Sequence, residues 1–307
     1  MTKYRVYVFL VLANLFWAGN YVFGKYVVAE MTPVQMTFVR WVLAIILLFP
    51  LAHFLEKPRW REVWRAWKVL LLLSFLGILG YNILLYEALR FTTPLNASLV
   101  NAINPALLAL AAAALLGEKL SRINVLGLFI SLAGVLLVLT RGRLLQLFSI
   151  SYNVGDVLML AAIVVWTFYT LIGRRLQGIP PIAATAVSAS LGMVVLLPFF
   201  LHSHFAFHLS TQATVGILYI ALFPSVCSFA LWNSAIRDVG AGRAGIFLNL
   251  LAVFTALLSL LVGQSINGPQ LLGGALVIGG VYLTNRKAAM AKASAPAPVK
   301  EEASDGL

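Results

Sequence analysis

Charge is what this chain has least of. Only 10% of its 307 residues are Asp, Glu, Lys or Arg, against roughly 25% in soluble globular domains. A water-soluble fold cannot coat itself with so few charges, and those present are bunched between long apolar runs. A soluble enzyme or binding module is excluded, and a polytopic membrane protein remains. Cysteine is almost missing: Cys227 stands alone, so no intramolecular disulfide can form and no thiol-type metal spacing exists. There is no phosphate-binding glycine loop and no nucleophile, base and orienter set. Those absences disfavour an ATP-driven pump and an enzyme, and no cofactor is expected.

What is present is hydrophobic, 61% of the chain. Apolar runs fall at residues 6 to 28, 34 to 55, 69 to 90, 95 to 116, 120 to 140, 155 to 176, 182 to 201, 215 to 236, 243 to 263 and 268 to 286. Lipid satisfies no backbone hydrogen bond, so a span must be a helix or belong to a closed barrel. These runs show no period-2 alternation, which selects helices. The predicted fold class is therefore an all-α polytopic membrane protein with ten transmembrane helices. Residues 287–307, rich in Ala, Pro and Lys and then acidic, read as a disordered tail.

The formal net charge of +12 does not imply a nucleic-acid partner, because the basic residues flank apolar runs instead of forming an amphipathic face. With the N-terminus inside, only Lys25, Arg90, Arg141 and Arg143 fall in outer segments and Arg40 within a span. Every other Lys and Arg lies on the inner side. That asymmetry predicts both termini in the cytoplasm and an even number of spans.

The two halves echo each other. Trp17, Gly24 and Lys25 align with Trp166, Gly173 and Arg174, Pro50 with Pro198, Ala88-Leu89-Arg90 with Ala235-Ile236-Arg237, and Gly127 and Gly134 with Gly273 and Gly280. The separation shortens by a few residues along the chain, as it does when the second copy has shorter loops. Five helices per copy is an odd number, so the second copy enters the membrane upside down. An inverted repeat of this kind is the architecture of carriers.

Asn14 to Lys25 followed by Phe38-Val-Arg40, then Tyr86-Glu-Ala-Leu-Arg90, Ala97 to Pro105, Gly117-Glu-Lys-Leu120 and Gly127 to Gly134, resemble the drug/metabolite transporter superfamily, in particular its EamA-type ten-helix carriers. Leu231 to Arg237 and Gly273 to Gly280 echo that pattern. The resemblance implies two EamA-like five-helix repeats at residues 5–140 and 154–286 joined by an outer linker at 141–153. It also implies export of metabolites, often amino acids, across a bacterial inner membrane. The sequence departs from the family at Leu251-Ala252, where an acidic residue and proline are common, and at Gln264, the counterpart of Glu118. The ninth helix is therefore expected to kink less than the fourth.

Carrier sites lie near the membrane midplane between repeats. Trp17, Asn20, Tyr21 and Gly24 share one face of the first helix, and Trp166, Tyr169, Thr170 and Gly173 repeat that spacing in the sixth. Tyr81 and Asn82 fall near the middle of the third span, Asn101 and Asn104 of the fourth, Asn249 of the ninth. Each of these either glues helices or lines a cavity. Pro105 leaves the Asn101 carbonyl without its helical donor, and Pro224 does the same to Ile220, with Ser225 and Ser228 alongside. Arg40 would meet a substrate carboxylate, or else backbone carbonyls or an outer carboxylate. Glu87 is the deepest acid, the fallback proton carrier in a chain with no mid-depth carboxylate. His202, His204 and His208 cluster without an acidic partner, so no metal is expected. Trp60, Trp64 and Trp67 read as an interfacial belt, and the glycines at 127, 134, 273 and 280 as a close helix contact or a dimer face.

These readings converge on a secondary transporter of small metabolites, amino acids with apolar or aromatic side chains foremost. The alternatives are a drug or nucleotide-sugar carrier, and less favoured an intramembrane enzyme or lipid scramblase. The expected partners are a small-molecule substrate and membrane lipid, with the protein a monomer or homodimer.

Overall fold

The computed structural model describes residues 3–116, 122–146, 153–173, 176, 178–203, 208–239 and 247–293, and among them there is no β-strand. The helices are α1 (Lys3–Val27), α2 (Pro33–Leu55), α3 (Trp60–Arg65), α4 (Trp67–Leu73), α5 (Tyr81–Phe91), α6 (Pro94–Asn101), α7 (Asn104–Leu116), α8 (Arg122–Leu139), α9 (Val154–Gly173), α10 (Pro181–His202), α11 (Thr211–Leu222), α12 (Ser228–Val239), α13 (Leu250–Leu261) and α14 (Gly268–Ala293). The described residues of each of the ten apolar runs fall mainly on one helix or on a pair continuing one another: α4 with α5, α6 with α7, and α11 with α12. Six stretches, Arg5–Val27, Pro33–Leu55, Trp67–Phe91, Val154–Gly173, Pro181–His202 and Thr211–Trp232, are long and apolar enough to cross a membrane. Large apolar side chains such as Ile46, Phe54, Val194 and Leu201 stand well exposed on α2 and α10. An aqueous monomer does not carry such a surface, whereas lipid accepts it.

Proline marks where helices begin. Pro33, Pro94 and Pro181 each occupy a first-turn position, where their missing N–H costs no hydrogen bond. Ahead of α2, Thr32 accepts from the Gln35 N–H while the Gln35 side chain accepts from the Thr32 N–H, a complete capping box.

The cross-repeat contacts reveal the symmetry. Along α2, Gln35 meets Ser203, Phe38 stacks on Phe200, and Glu56 reaches the N–H groups of Ile182 and Ala183. Advancing along α2 thus retreats along α10, its counterpart in the second half. The same antiparallel register pairs α8 with α14. A Cβ on Gly134 would lie 2.6 Å from the Gly273 carbonyl oxygen, and one on Gly280 would lie 2.5 Å from that of Gly127. These glycines are consumed by a contact within the chain. The α1 helix packs on α11 and α12, α5 packs on α9, and α6 packs on α13. Two-fold symmetry requires this pattern: equivalent helices pair with each other, and the first-with-eighth pair mirrors the third-with-sixth. The fold is two inverted five-helix repeats.

Charged groups sit mostly at the helix ends and tie them together. Lys25 donates to the Leu89 and Thr92 carbonyls at the end of α5, where a cation is favoured by the helix dipole. Thr92 donates to Asp156 at the start of α9. Glu30 accepts from the Ser210 hydroxyl and, at 2.7 Å, from its N–H, ahead of α11. Those bonds hold the Glu30 carboxyl below its ordinary range.

Two local departures from α-helix recur in both repeats. The third span contains a π-helical segment, Ser74–Gly80, and the eighth contains one at Phe223–Cys227. The fourth breaks at Ala102 and Ile103, and the ninth breaks at Leu248 and Asn249. The expectation of a straighter ninth helix is therefore corrected: it breaks at the equivalent place although alanine, not proline, stands at 252. The interruption therefore needs no proline. The α14 helix runs on to Ala293, and residues 294–307 lie outside the described ones.

Replacing Gly280 by leucine would drive a side chain into the Gly127 carbonyl and the Ser131 N–H, costing about 1–3 kcal/mol as overpacking does. Gly279, with nothing within 4 Å of a Cβ, should accept alanine. Thermal unfolding of the purified variants in detergent should show a clear loss for Gly280→Leu and little change for Gly279→Ala. Because Glu30 titrates lower when folded, its contribution is present above the ordinary carboxylate range and is lost as pH falls through the folded value. Glu30→Gln should therefore flatten the acid limb of a plot of unfolding midpoint against pH.

Candidate functional site

At the junction of the two repeats the aromatic side chains form two matching groups. The Trp17 ring of α1 lies 5.4 Å from Trp232 and 6.0 Å from Phe229, both on α12, and its indole N–H donates to the Pro224 carbonyl at 3.1 Å. In the other repeat, Trp166 of α9 lies 4.8 Å from Tyr81 of α5 and 4.9 Å from Tyr169. Each tryptophan thus closes on the π-interrupted span of the opposite repeat. Tyr169 packs where a Gly77 side chain would stand, so glycine in the π segment makes room for the ring. The Trp17, Tyr81, Trp166 and Tyr169 side chains are all only partly buried.

The π segments loosen backbone bonds, and polar side chains take up the groups they free. Asn82 donates its amide to the Gly77 and Ile78 carbonyls at 3.1 and 2.8 Å. Ser225 donates to the Ile220 carbonyl at 2.8 Å, the very group that Pro224 deprives of its donor. Ser228 donates to the Ala13 carbonyl.

Between these two segments lies Arg40, 3% exposed. Its Nε donates to Ser225 Oγ at 2.7 Å, and Nη1 donates to Asn82 Oδ1 at 2.6 Å and to the Tyr86 hydroxyl. Tyr86 in turn donates to Asn20 Oδ1 at 3.0 Å. The guanidinium also lies 5.2 Å from the Trp41 ring centroid and 5.9 Å from that of Tyr86, close enough for cation–π attraction. One side chain so joins α1, α2, α5 and the π segment of the eighth span. The expected alternatives of a backbone carbonyl or an outer carboxylate are not what Arg40 meets: its partners are neutral side chains. An arginine at the centre of a membrane helix costs about 2.5–3.5 kcal/mol on insertion scales, and these dipoles offset part of that.

The first-helix set divides between two neighbours. Trp17 faces α12, whereas Asn20 and Tyr21 face α5, Tyr21 sharing a 3.2 Å hydroxyl contact with Tyr81. Asn20, Tyr21, Asn82, Asn104 and Asn249 are buried, and Asn101 is half-buried. The amide oxygens of Asn101 and Asn249, one at each helix break, are enclosed yet accept no hydrogen bond from any described residue. Thr170 turns its hydroxyl back to the Trp166 carbonyl and faces no ligand. Glu87 stands one residue round the helix from Tyr86, partly exposed and paired with Arg90 at 3.1 Å. It is outside the Arg40 cluster. No group of His, Cys, Asp and Glu among the described residues has metal-site geometry, and His204 lies outside them. Trp64 and Trp67 are exposed beside Arg65 and Lys68, as an interfacial belt requires.

Sequence reasoning missed Tyr86 and Trp41. The signal for Tyr86 was its position four residues after Asn82, which puts both on one face. Trp41 follows Arg40 directly and carries no such mark.

Loss of the Tyr86 hydroxyl would leave Asn20 Oδ1 and one Arg40 N–H without a partner. Tyr86→Phe should destabilise the protein by about 1.5–3 kcal/mol, the usual worth of a hydrogen bond to a charged group. Glu87→Gln, at the paired surface site, should cost under about 1 kcal/mol. Thermal unfolding of both variants in one detergent tests the difference.

Comparison with known proteins agrees with this geometry. The model of the EamA-like transporter family matches residues 5–140 and again 153–286. An uncharacterized transporter of Bacillus subtilis, YyaM, is 30% identical over 286 residues, covering 92% of this chain and 93% of its own. The aromatic amino acid exporter YddG of Ancylobacter novellus is 23% identical over 221 residues, covering 72% of this chain and 75% of that protein. A solved structure titled only as a crystal structure of a protein superposes with a TM-score of 0.67 at 20% identity, over 92% of this chain and 98% of that one. With both halves matched by the family model and a relative at 30% identity spanning nearly the whole length, this chain belongs to the EamA-like transporter family of the drug/metabolite transporter superfamily and is a multi-pass membrane transporter.

Proposed function

We propose that the protein exports amino acids with apolar or aromatic side chains across the bacterial inner membrane, by alternating access, with both termini in the cytoplasm. The observation that carries this reading is the junction itself. Two aromatic groups, Trp17 with Trp232 and Trp166 with Tyr81 and Tyr169, are built on α1 and α9, helices that pack on α13 and on α6 and α7, where the amides at the two helix breaks, Asn249 and Asn101, have spare acceptors. Aromatic walls suit an alkyl or ring side chain, and a few placed polar groups suit a compact polar head. The half-helices resemble the discontinuous helices that bind substrate in other inverted-repeat carriers. That a similar protein, the exporter of Ancylobacter novellus, is named for aromatic amino acids points the same way.

Alternating access follows from the pairing of repeats. Each tryptophan belongs to one repeat and rests on the other's π-interrupted span, so a rocking of one against the other opens one aromatic group as it closes its mate. Ion coupling is not needed for such a cycle. Among the described residues Arg40 is the one cation placed in the cluster, and Glu87 is paired at the surface, which favours a facilitator or exchanger. A nucleotide-sugar carrier would want several cations for its phosphates.

In proteoliposomes, labelled phenylalanine should run down its gradient. Trp17→Ala or Asn101→Ala should slow it by about tenfold, corresponding to about 1.4 kcal/mol of lost interaction. Unchanged flux in both variants would remove the proposed binding region.

A further inference from the structure

We propose that Arg40 is the receptor for the carboxylate of the transported molecule, and that this carboxylate displaces Ser225 from the guanidinium. The proposal rests on the amino-acid reading above and names the group that the site reads. Arg40 is nearly fully buried, yet its hydrogen-bond partners are Ser225, Asn82 and Tyr86, all neutral. The ion pairs among the described residues are Arg59 with Glu62 and Arg90 with Glu87, both on other parts of the surface. A cation in a low-dielectric interior without a counter-charge attracts an anion far more strongly than one in water. No described residue supplies one to Arg40, so the substrate does.

The donor inventory shows where the anion fits. A guanidinium has five N–H donors. Here Nε serves Ser225, and both donors of Nη1 serve Asn82 and Tyr86, while Nη2 donates to no described residue. A carboxylate binds the guanidinium edge through two parallel hydrogen bonds, and on the edge formed by Nε and Nη2 the one acceptor among the described residues is Ser225. Asn82 and Tyr86 meanwhile hold Nη1 and fix the plane of the group.

Ser225 can let go at little expense. Its own proton is committed to the Ile220 carbonyl, so the hydroxyl keeps a partner when the guanidinium leaves. Among the described residues the Nε bond is also the one hydrogen bond that ties Arg40 to the second repeat, since Asn82 and Tyr86 belong to the first. A carboxylate arriving on that edge exchanges a bond between repeats for a bond to substrate. Loading of the site thereby frees the eighth span to move against α2, which is the coupling that a rocking carrier requires.

The test uses the purified full-length protein and two probes, L-phenylalanine and L-phenylalaninamide, which share ring and amine and differ in the carboxylate. Binding is followed by thermal shift and by competition with labelled phenylalanine flux. The acid should bind at least about tenfold more tightly than the amide, the effect of one charge-assisted contact. Arg40→Gln should erase that preference. Arg40→Lys, which keeps the charge and loses the fork, covers the case in which the glutamine variant does not fold, and should reduce the preference. Ser225→Ala, which removes the competitor, should tighten binding of the acid and leave the amide unchanged. Equal binding of acid and amide by the wild type overturns the inference while leaving amino-compound transport standing. A preference that survives intact in folded Arg40 variants also overturns it. Binding of neither probe overturns the amino-acid reading and the inference together.

Discussion

A polar group inside an apolar bundle has to find its partner within the bundle, because lipid offers none. That constraint organises this protein from the backbone outward. It confines the chain to helices, and it sends most charges to the helix ends, where Lys25, Glu30, Glu56 and Asp156 bond to exposed backbone groups or caps of neighbouring helices. Where the helices depart from regular hydrogen bonding, it recruits Asn82 and Ser225 to the carbonyls set free. Arg40 is the sharpest case, a buried cation whose three hydrogen bonds all end on neutral acceptors that are themselves hydrogen-bonded or held in place.

The inverted repeat turns this local chemistry into a device. Equivalent helices meet antiparallel, and the close glycine contact of α8 with α14 supplies a fixed seam. Around it the first and eighth spans, and the sixth and third, form two related contacts, each with a tryptophan from one repeat against a π-interrupted span of the other. π segments are poorly bonded and recur at functional sites. Their presence at equivalent places in the two repeats concentrates the deformable backbone at the junction. The symmetry is nevertheless imperfect in the respect that matters chemically: among the described residues the buried cation of the junction, Arg40, belongs to the first repeat, whereas both repeats contribute aromatic groups.

The architecture was largely legible in the sequence. Long apolar runs, the uneven distribution of Lys and Arg, and a drifting set of matched residues led to ten helices in two inverted repeats, because hydrophobic length and repeat order are linear properties of a chain. The residues that form the junction were legible as a set, since Trp17, Asn82, Trp166 and their neighbours are polar or aromatic at mid-span. Their partnerships were not. Asn20 and Trp17 lie on one face of α1 by spacing, yet they serve different neighbours, because a helix face wide enough to carry both touches two helices at once. The straighter ninth helix expected from the missing proline did not appear: the span breaks at Leu248 and Asn249, the places equivalent to Ala102 and Ile103.

By itself, then, the sequence determined that the chain is helical, membrane-spanning, internally doubled and a carrier by family, through the length of its apolar runs and the order of its motifs. Only the tertiary structure decided that Arg40 is held by Ser225, Asn82 and Tyr86 and meets no described carboxylate, that the small-residue stripes join α8 to α14, and that Glu87 faces Arg90 outside the cluster. The reason is that a side chain's partner depends on which helices are neighbours and on their relative rotation, and no residue's own spacing along the chain contains either.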